Sequence, residues 1–355
     1  MKGQKAPGDM IATGIGSLPH GDPRRAVGVV LEAVPMLPYW PQLPRRDPRE
    51  NMYRQFLGSM PGVVEGDGPP AICDWSAFWA GMEDLLAEFM AATATDGGEH
   101  GGGAGFIAPE RAAGLWELAR AQLRQAVGVK GQVTGPVSMG LSIMGPEGKA
   151  ALYDERLMEA ITSLLYLKLR WQEDFLRALH PQTLVFLDEP YLGTLGSGFY
   201  AYDAEKTRRW LQQVLAAARG LTGIHCCANT DWGLLMDLGI DVISFDAYFY
   251  FDSFALYSAQ LSEYLNRGGI IAWGIVPAGA EALATESALS LARRLEDYVV
   301  ELGRRGLPED RLIRQSLVTP SCGLGSLPEA EAERALELCG RVAGIARERF
   351  GLDGK

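Results

Sequence analysis

Short apolar runs that end in glycine, proline or polar residues alternate along this chain with longer stretches whose apolar residues return every third or fourth position. Runs at 10–19 (MIATGIGSLP), 38–44 (PYWPQLP), 128–136 (GVKGQVTGP) and 183–190 (TLVFLDEP) read as strands. Four more lie at 223–229 (GIHCCAN), 241–248 (DVISFDAY), 269–277 (GIIAWGIVP) and 316–323 (SLVTPSCG). Between them the period changes. Over 152–179, Met158, Ile161, Leu165, Leu169 and Leu176 make one apolar helical face, and 204–218, 253–266, 284–303 and 328–350 repeat the pattern.

Strands that alternate with helices imply a parallel sheet. Eight such strands are the number that closes a (β/α)8 TIM barrel, a fold that commonly takes about 250 residues and more with insertions. The expectation is therefore an α/β barrel as one domain over 1–355, with a doubly wound open sheet as the alternative. Residues 45–127 read as an insertion between the second and third strands. Within it DGGEHGGGAG (96–105) carries six glycines and reads as a mobile loop.

Composition narrows the function classes. The 47% hydrophobic content is that of a globular protein with a substantial core. A formal net charge of −11, with acids and bases interspersed, argues against nucleic acid as a partner. The first ten residues have no apolar core of the secretory kind. The most apolar run, 268–280, is shorter than the ~20 residues that span a bilayer. The expectation is a cytoplasmic protein with no membrane contact. Five scattered cysteines do not make a disulfide framework, and in a reducing compartment clustered Cys and His point to metal binding or catalysis.

In a barrel the C-terminal strand ends carry the active site, and the polar residues gather at those ends. GSLPH follows the first strand, DEP ends the fourth, HCCAN the fifth, FDAY the sixth and PSCG the eighth. Strand alternation puts His225 and Cys227 on one face and Cys226 on the other. Cys322 is a natural third donor, and Asp246 a candidate oxygen ligand or a partner orienting His225. The competing reading is that such cysteines are small core residues. Cys226 is read that way, as is Cys339 on the stripe Ala335–Cys339–Val342–Ala346, while Cys73 belongs to no pattern. For His225, Cys227 and Cys322 the residues alone leave both readings open. Asp188 and Glu189 point to opposite faces, so one carboxylate enters the mouth or forms a salt bridge. GIGSLPH offers backbone N–H groups at a glycine turn, with Ser17 and His20 close by.

IGSLP, LDEP, HxC and PSCGLG, in that order along nearly the whole chain, resemble the C-terminal catalytic barrel of the cobalamin-independent methionine synthases. That barrel shares a superfamily with uroporphyrinogen decarboxylase. The resemblance implies a zinc ion held by His225, Cys227 and Cys322, with Asp246 where the family has Glu. It implies a substrate amino acid held by Gly16, Ser17 and Asp188. Glu189 is grouped with these as a substrate contact, and Asp188 and His20 are the candidate catalytic groups. The implied activity is transfer of a methyl group to a small thiol such as homocysteine. Zinc suits that chemistry because the thiolate is the nucleophile and a coordinated thiol is deprotonated.

The sequence departs from the family at three places. Arg54 aligns with an acidic position, the seventh strand runs into WGIVPAG where the family has a histidine, and there is one barrel rather than two. These departures favour a methyl-corrinoid on a partner protein over methyl-tetrahydrofolate as donor. Two other readings stand beside this one. A uroporphyrinogen-type decarboxylase shares the fold but needs an arginine-rich motif not found here, and it gives HxC and PSCG no role. A metal-binding or corrinoid-partner module without turnover is the second.

Overall fold

The computed structural model describes residues 7–94, 103–194 and 203–352. Positions 96–102 of the glycine-rich stretch, and the first six residues, lie outside the described residues. The strands are β1 (Ile11–Ala12), β2 (Val63–Val64), β3 (Ala71–Ile72), β4 (Val129–Thr134), β5 (Thr183–Asp188), β6 (Leu221–Cys226), β7 (Val242–Phe245), β8 (Ile270–Val276) and β9 (Ser316–Pro320). Seven of them form one sheet in the order β1-β9-β8-β7-β6-β5-β4, and every pair in it is parallel. This is an α/β fold whose curled parallel sheet is consistent with a TIM-like barrel. β2 and β3 make a separate antiparallel pair within 45–127.

Burial explains why these runs are strands. β4, β5, β7, β8 and β9 are buried at every position, as a parallel sheet covered on both faces requires. Two apolar clusters mark the faces. Ile11, Leu184, Phe186, Val242, Ile270, Ala272 and Leu317 pack together inside the curl. Their strand neighbours Val185, Leu187, Ile224, Cys226, Ile243, Phe245, Ile271 and Trp273 face the surrounding helices. The longest of those helices, Glu155–Arg177, starts at Asp154, whose side chain accepts from the Arg156 N–H. Among the described residues no helix is long and apolar enough to cross a membrane.

The second predicted strand is not a strand. Residues 38–44 meet the sheet through isolated bridges, Tyr39 with Lys130 and Ser17 with Gln42. Pro38, Pro41 and Pro44 remove N–H donors at every third position, so no ladder can propagate. Lys130 N donates to Pro38 O (2.8 Å), Gln42 N to Gly16 O (3.0 Å) and Leu18 N to Gln42 O (2.9 Å). Side chains complete this seam. The buried Gln172 amide accepts from Gln132 N and from Trp40 Nε1 and donates to Gln132 O, all at 3.0 Å. It behaves as a single peptide unit inserted beside β4. Gln132 Nε2 in turn donates to Trp40 O at 3.0 Å.

Other boundaries differ as well. Regular pairing in the first predicted strand covers Ile11–Ala12 alone, before the glycine turn begins. The single helix expected over 253–266 is two, Ala247–Ala255 and Ser258–Asn266. The helix expected over 284–303 is Ala280–Thr285 followed by Ala288–Arg304.

Candidate metal centre

Register sets up the site. Asp188 on β5 pairs with His225 on β6, and His225 pairs with Ser244 on β7. All three are buried and continue the inward alternation of Phe186, Gly223 and Val242. Ser244 Oγ lies 3.0 Å from His225 Nδ1. When Nδ1–H donates to that hydroxyl, Nε2 keeps its lone pair for a metal. Among the described residues Nε2 is buried without a hydrogen-bond partner.

Cys227, one residue past the end of β6, and Cys322, two past the end of β9, meet that imidazole. The ligand atoms of His225, Cys227 and Cys322 all lie within 4.8 Å of one another. A single ion with Zn–N near ~2.0 Å and Zn–S near ~2.3 Å bonds comes close to spanning that distance. The two thiols also perturb each other. The hydrogen bond from Cys322 pulls the Cys227 thiol below its ordinary range, against burial. The Cys322 thiol is pushed up, first by that same bond and then by burial, with His225 acting against both. A buried Nε2 without a hydrogen-bond partner and two half-buried thiols, with ligand atoms within 4.8 Å of one another, fit a soft-ligand metal, whose binding would displace the thiol protons. Cys226 lies on the other face, buried in the outer core, with its thiol 3.4 Å from Ala228 O. All five cysteines are free.

The other sequence-derived residues fall in three places. Asp188 stays at the mouth: its Oδ1 is buried without a hydrogen-bond partner among the described residues. Burial raises its pKa to about 6, against the nearby Lys130 and His225. Gly16 and Ser17 form the turn beside the Cys322 loop, where Leu324 N donates to Ser17 O (2.9 Å) and Gly325 N to Ser17 Oγ (3.3 Å).

Glu189, Asp246 and His20 make hydrogen bonds of their own, and burial raises the pKa of Asp246 to about 6, with His225 acting against it. The Glu189 carboxylate accepts from Val137 N (2.9 Å), Ser138 N (2.8 Å) and Ser138 Oγ (2.6 Å) at the start of the helix Pro136–Ser142. Asp246 lies outside the three-atom cluster; its Oδ1 accepts from Phe249 N (3.0 Å) and caps the helix Ala247–Ala255. His20 is buried with Nε2 3.1 Å from Glu333 Oε1, a carboxylate that Arg25 also holds.

Sequence reasoning missed several groups. Lys130 is fully buried inside the curl, donating to Ile15 O (2.6 Å) and Gln132 Oε1 (3.3 Å), with Nζ 4.5 Å from the Phe186 ring centroid. Burial lowers its pKa to about 8, against the pull of Asp188. Lys130, Gln132 and Thr134 are polar at alternate positions of an otherwise apolar strand, and that period-two signal could have marked an inward polar face. Tyr53 and Tyr191 stack with centroids 5.7 Å apart. Tyr53 is raised chiefly by burial, then by Tyr191 and Cys227, so the pair borders the cysteine side of the mouth. Arg54 turns away and donates to Gly68 O at 2.5 Å.

No family model matches the sequence, and no curated protein does. Among solved structures the fold is similar to that of a B12-independent methionine synthase from Shewanella sp. W3-18-1 in complex with selenomethionine. The TM-score is 0.61 with 14% sequence identity, over 97% of this chain and 99% of that one. At that identity the likeness is one of fold.

Proposed function

We propose that this chain is a zinc-dependent methyltransferase acting on a small amino-acid thiol of the homocysteine kind. The observation that carries the reading is the convergence of His225 Nε2 and the Cys227 and Cys322 thiols at the mouth of the sheet. The fold neighbour bound to selenomethionine, a methylated amino-acid selenide, supports the substrate class. The eighth position of the wall, between β1 and β4, belongs in this reading to residues 38–44.

Zinc bound to these three residues would supply one further coordination position and hold a substrate sulfur as thiolate. The chain's own groups do the rest. His225, fixed by Ser244, and the two cysteines hold the metal. The Asp188 carboxylate, ionised above about pH 6, receives the substrate ammonium. The Gly16–Ser17 turn receives the substrate carboxylate on backbone N–H groups. Glu189 keeps the start of helix Pro136–Ser142 in place, and His20, held by Glu333, is given no step. In the reaction the substrate sulfur's electron pair forms the new S–CH3 bond. The methyl–donor bond breaks with its electrons left on the donor, and the thiol proton passes to solvent.

The test is zinc content and methyl transfer to homocysteine in purified protein, with methylcobalamin and methyl-tetrahydrofolate supplied separately as donors. Near-equimolar zinc and turnover with one of the donors are expected, both lost in His225→Ala and Cys322→Ala. Variants that keep full zinc and full activity would sink the proposal.

A further inference from the structure

Cys322 is the one metal-site residue not carried by β6, and the structure shows two clamps around it. On one side Ser321 ties the loop to the end of β8: Ser321 N donates to Val276 O (2.8 Å) and Ala278 N donates to Ser321 Oγ (3.1 Å). On the other side the loop hangs on Ser17, through Leu324 N to Ser17 O (2.9 Å) and Gly325 N to Ser17 Oγ (3.3 Å). Between these bonds Gly323 presses so closely on Ser17 that a Cβ there would collide with Ser17 Oγ; its other near atoms are Ser17 Cβ and N, at 3.6 and 3.8 Å. Ser17 is itself braced. Lys130 Nζ donates to Ile15 O (2.6 Å), and Gln42 bonds both Gly16 O and Leu18 N.

From this geometry we infer that Ser17 is a positioning residue for Cys322, setting where the third metal ligand stands through its contact with Gly323. The inference rests on the metal-site reading above and deepens it. The turn given to the substrate carboxylate is also the support of a metal ligand, so the two ends of the site share one rigid piece of chain. Groups that orient metal ligands typically change metal affinity by about 10- to 100-fold when altered.

A compensation experiment tests this. Zinc affinity is measured by competition with a chromophoric chelator. The sulfur-to-cobalt charge-transfer band is read on the Co(II)-loaded protein. Gly323→Ala places a methyl group against Ser17 Oγ, and is expected to weaken zinc binding by about 10- to 100-fold and to dim the charge-transfer band. Ser17→Gly alone removes the contact with Gly323 and the acceptor of Gly325 N, and is expected to weaken zinc binding as well. In the double variant the methyl group added at position 323 fills the space left by the Ser17 side chain, so this variant is expected to bind zinc more tightly than either single variant. A general loss of folding would not be repaired by a second glycine.

The inference is overturned if Gly323→Ala binds zinc as wild type does with an unchanged cobalt spectrum, or if the double variant binds zinc no more tightly than the single variants. Neither readout involves methyl transfer. A wild-type protein that binds zinc through two thiolates yet methylates no thiol would sink the proposed function and leave this coupling standing.

Discussion

The arc from β4 to β9 and the seam between β1 and β4 hold the same site by different means. In the arc each strand pairs with the next through a continuous parallel ladder, and Asp188, His225 and Ser244 arrive side by side because their backbones are in register. Across the seam the backbone supplies isolated bridges, and Gln172, Gln132, Lys130 and Gln42 fill in. A ladder fixes the level and face of a side chain whatever the residue, so in the arc the pairing itself does not depend on particular side chains. The seam depends on particular amides and one amine. Its sensitivity to substitution is expected to be higher although it lies farther from the thiols in sequence.

Gln172→Leu should break this contrast most severely. It leaves Gln132 N, Gln132 O and Trp40 Nε1 buried without their partner. At ~1–3 kcal/mol for each unsatisfied group, partly relieved by relaxation, the loss is about 3–5 kcal/mol, read from the urea midpoint. A loss under ~1 kcal/mol would show that the seam is not held as described.

In the arc the comparable experiment touches function. Asp188→Asn should raise the KM for the amino-acid thiol by about 10- to 100-fold, since a charge-assisted hydrogen bond contributes ~1.5–3 kcal/mol. The pKa of Asp188 is raised, so the group is neutral below about pH 6 and anionic above it. The wild-type KM should therefore climb by about tenfold per unit as pH falls below that point, and this limb should vanish in the Asn variant. A limb that persists would assign the titration to another group.

Cys226→Ala should cost about 1 kcal/mol for a small buried side chain and leave zinc content unchanged, because this thiol faces the outer core. Zinc loss in this variant would contradict the separation of the two faces of β6. The smallest effect is expected at Asp246. Asn caps a helix as well as Asp does, so Asp246→Asn should keep zinc affinity within about threefold. A loss of 10- to 100-fold would make this carboxylate a ligand after all.

The legibility of the sequence follows the same division. β4 to β9 fall within three residues of the runs that predicted them, because short, mostly apolar stretches bounded by turn residues are readily buried as strands of a parallel sheet. In residues 38–44 the apolar content predicts a strand, but Pro38, Pro41 and Pro44 remove the donors that a ladder needs. HCC at the end of a strand resolved through alternation alone: His225 and Cys227 inward, Cys226 outward. Asp246 shows the opposite case: it stands directly before a helix that starts at Ala247 and its Oδ1 is a cap, a role that FDAY alone does not announce. Glu189 was hidden for a related reason: its partners, Val137 and Ser138, lie about fifty residues upstream, and nothing in LDEP announces a helix start across that distance. Gln172, mid-helix, carries no local signal of its role, since its partners come from β4 and from Trp40.

The pairing of Ile11 with Leu317 and of Ala12 with Val318 has a consequence for the birth of the protein. Neighbours in the arc follow one another along the chain and can zip up as they leave the ribosome. The first strand finds its mate only after some three hundred further residues have been made, the costliest kind of contact for a folding chain. Ser17 and the Cys322 loop meet in that same late step. A nascent chain would thus hold its His225–Cys227 half-site open while the 95 residues up to Cys322 are made, and would acquire a complete metal centre only when β1 pairs with β9.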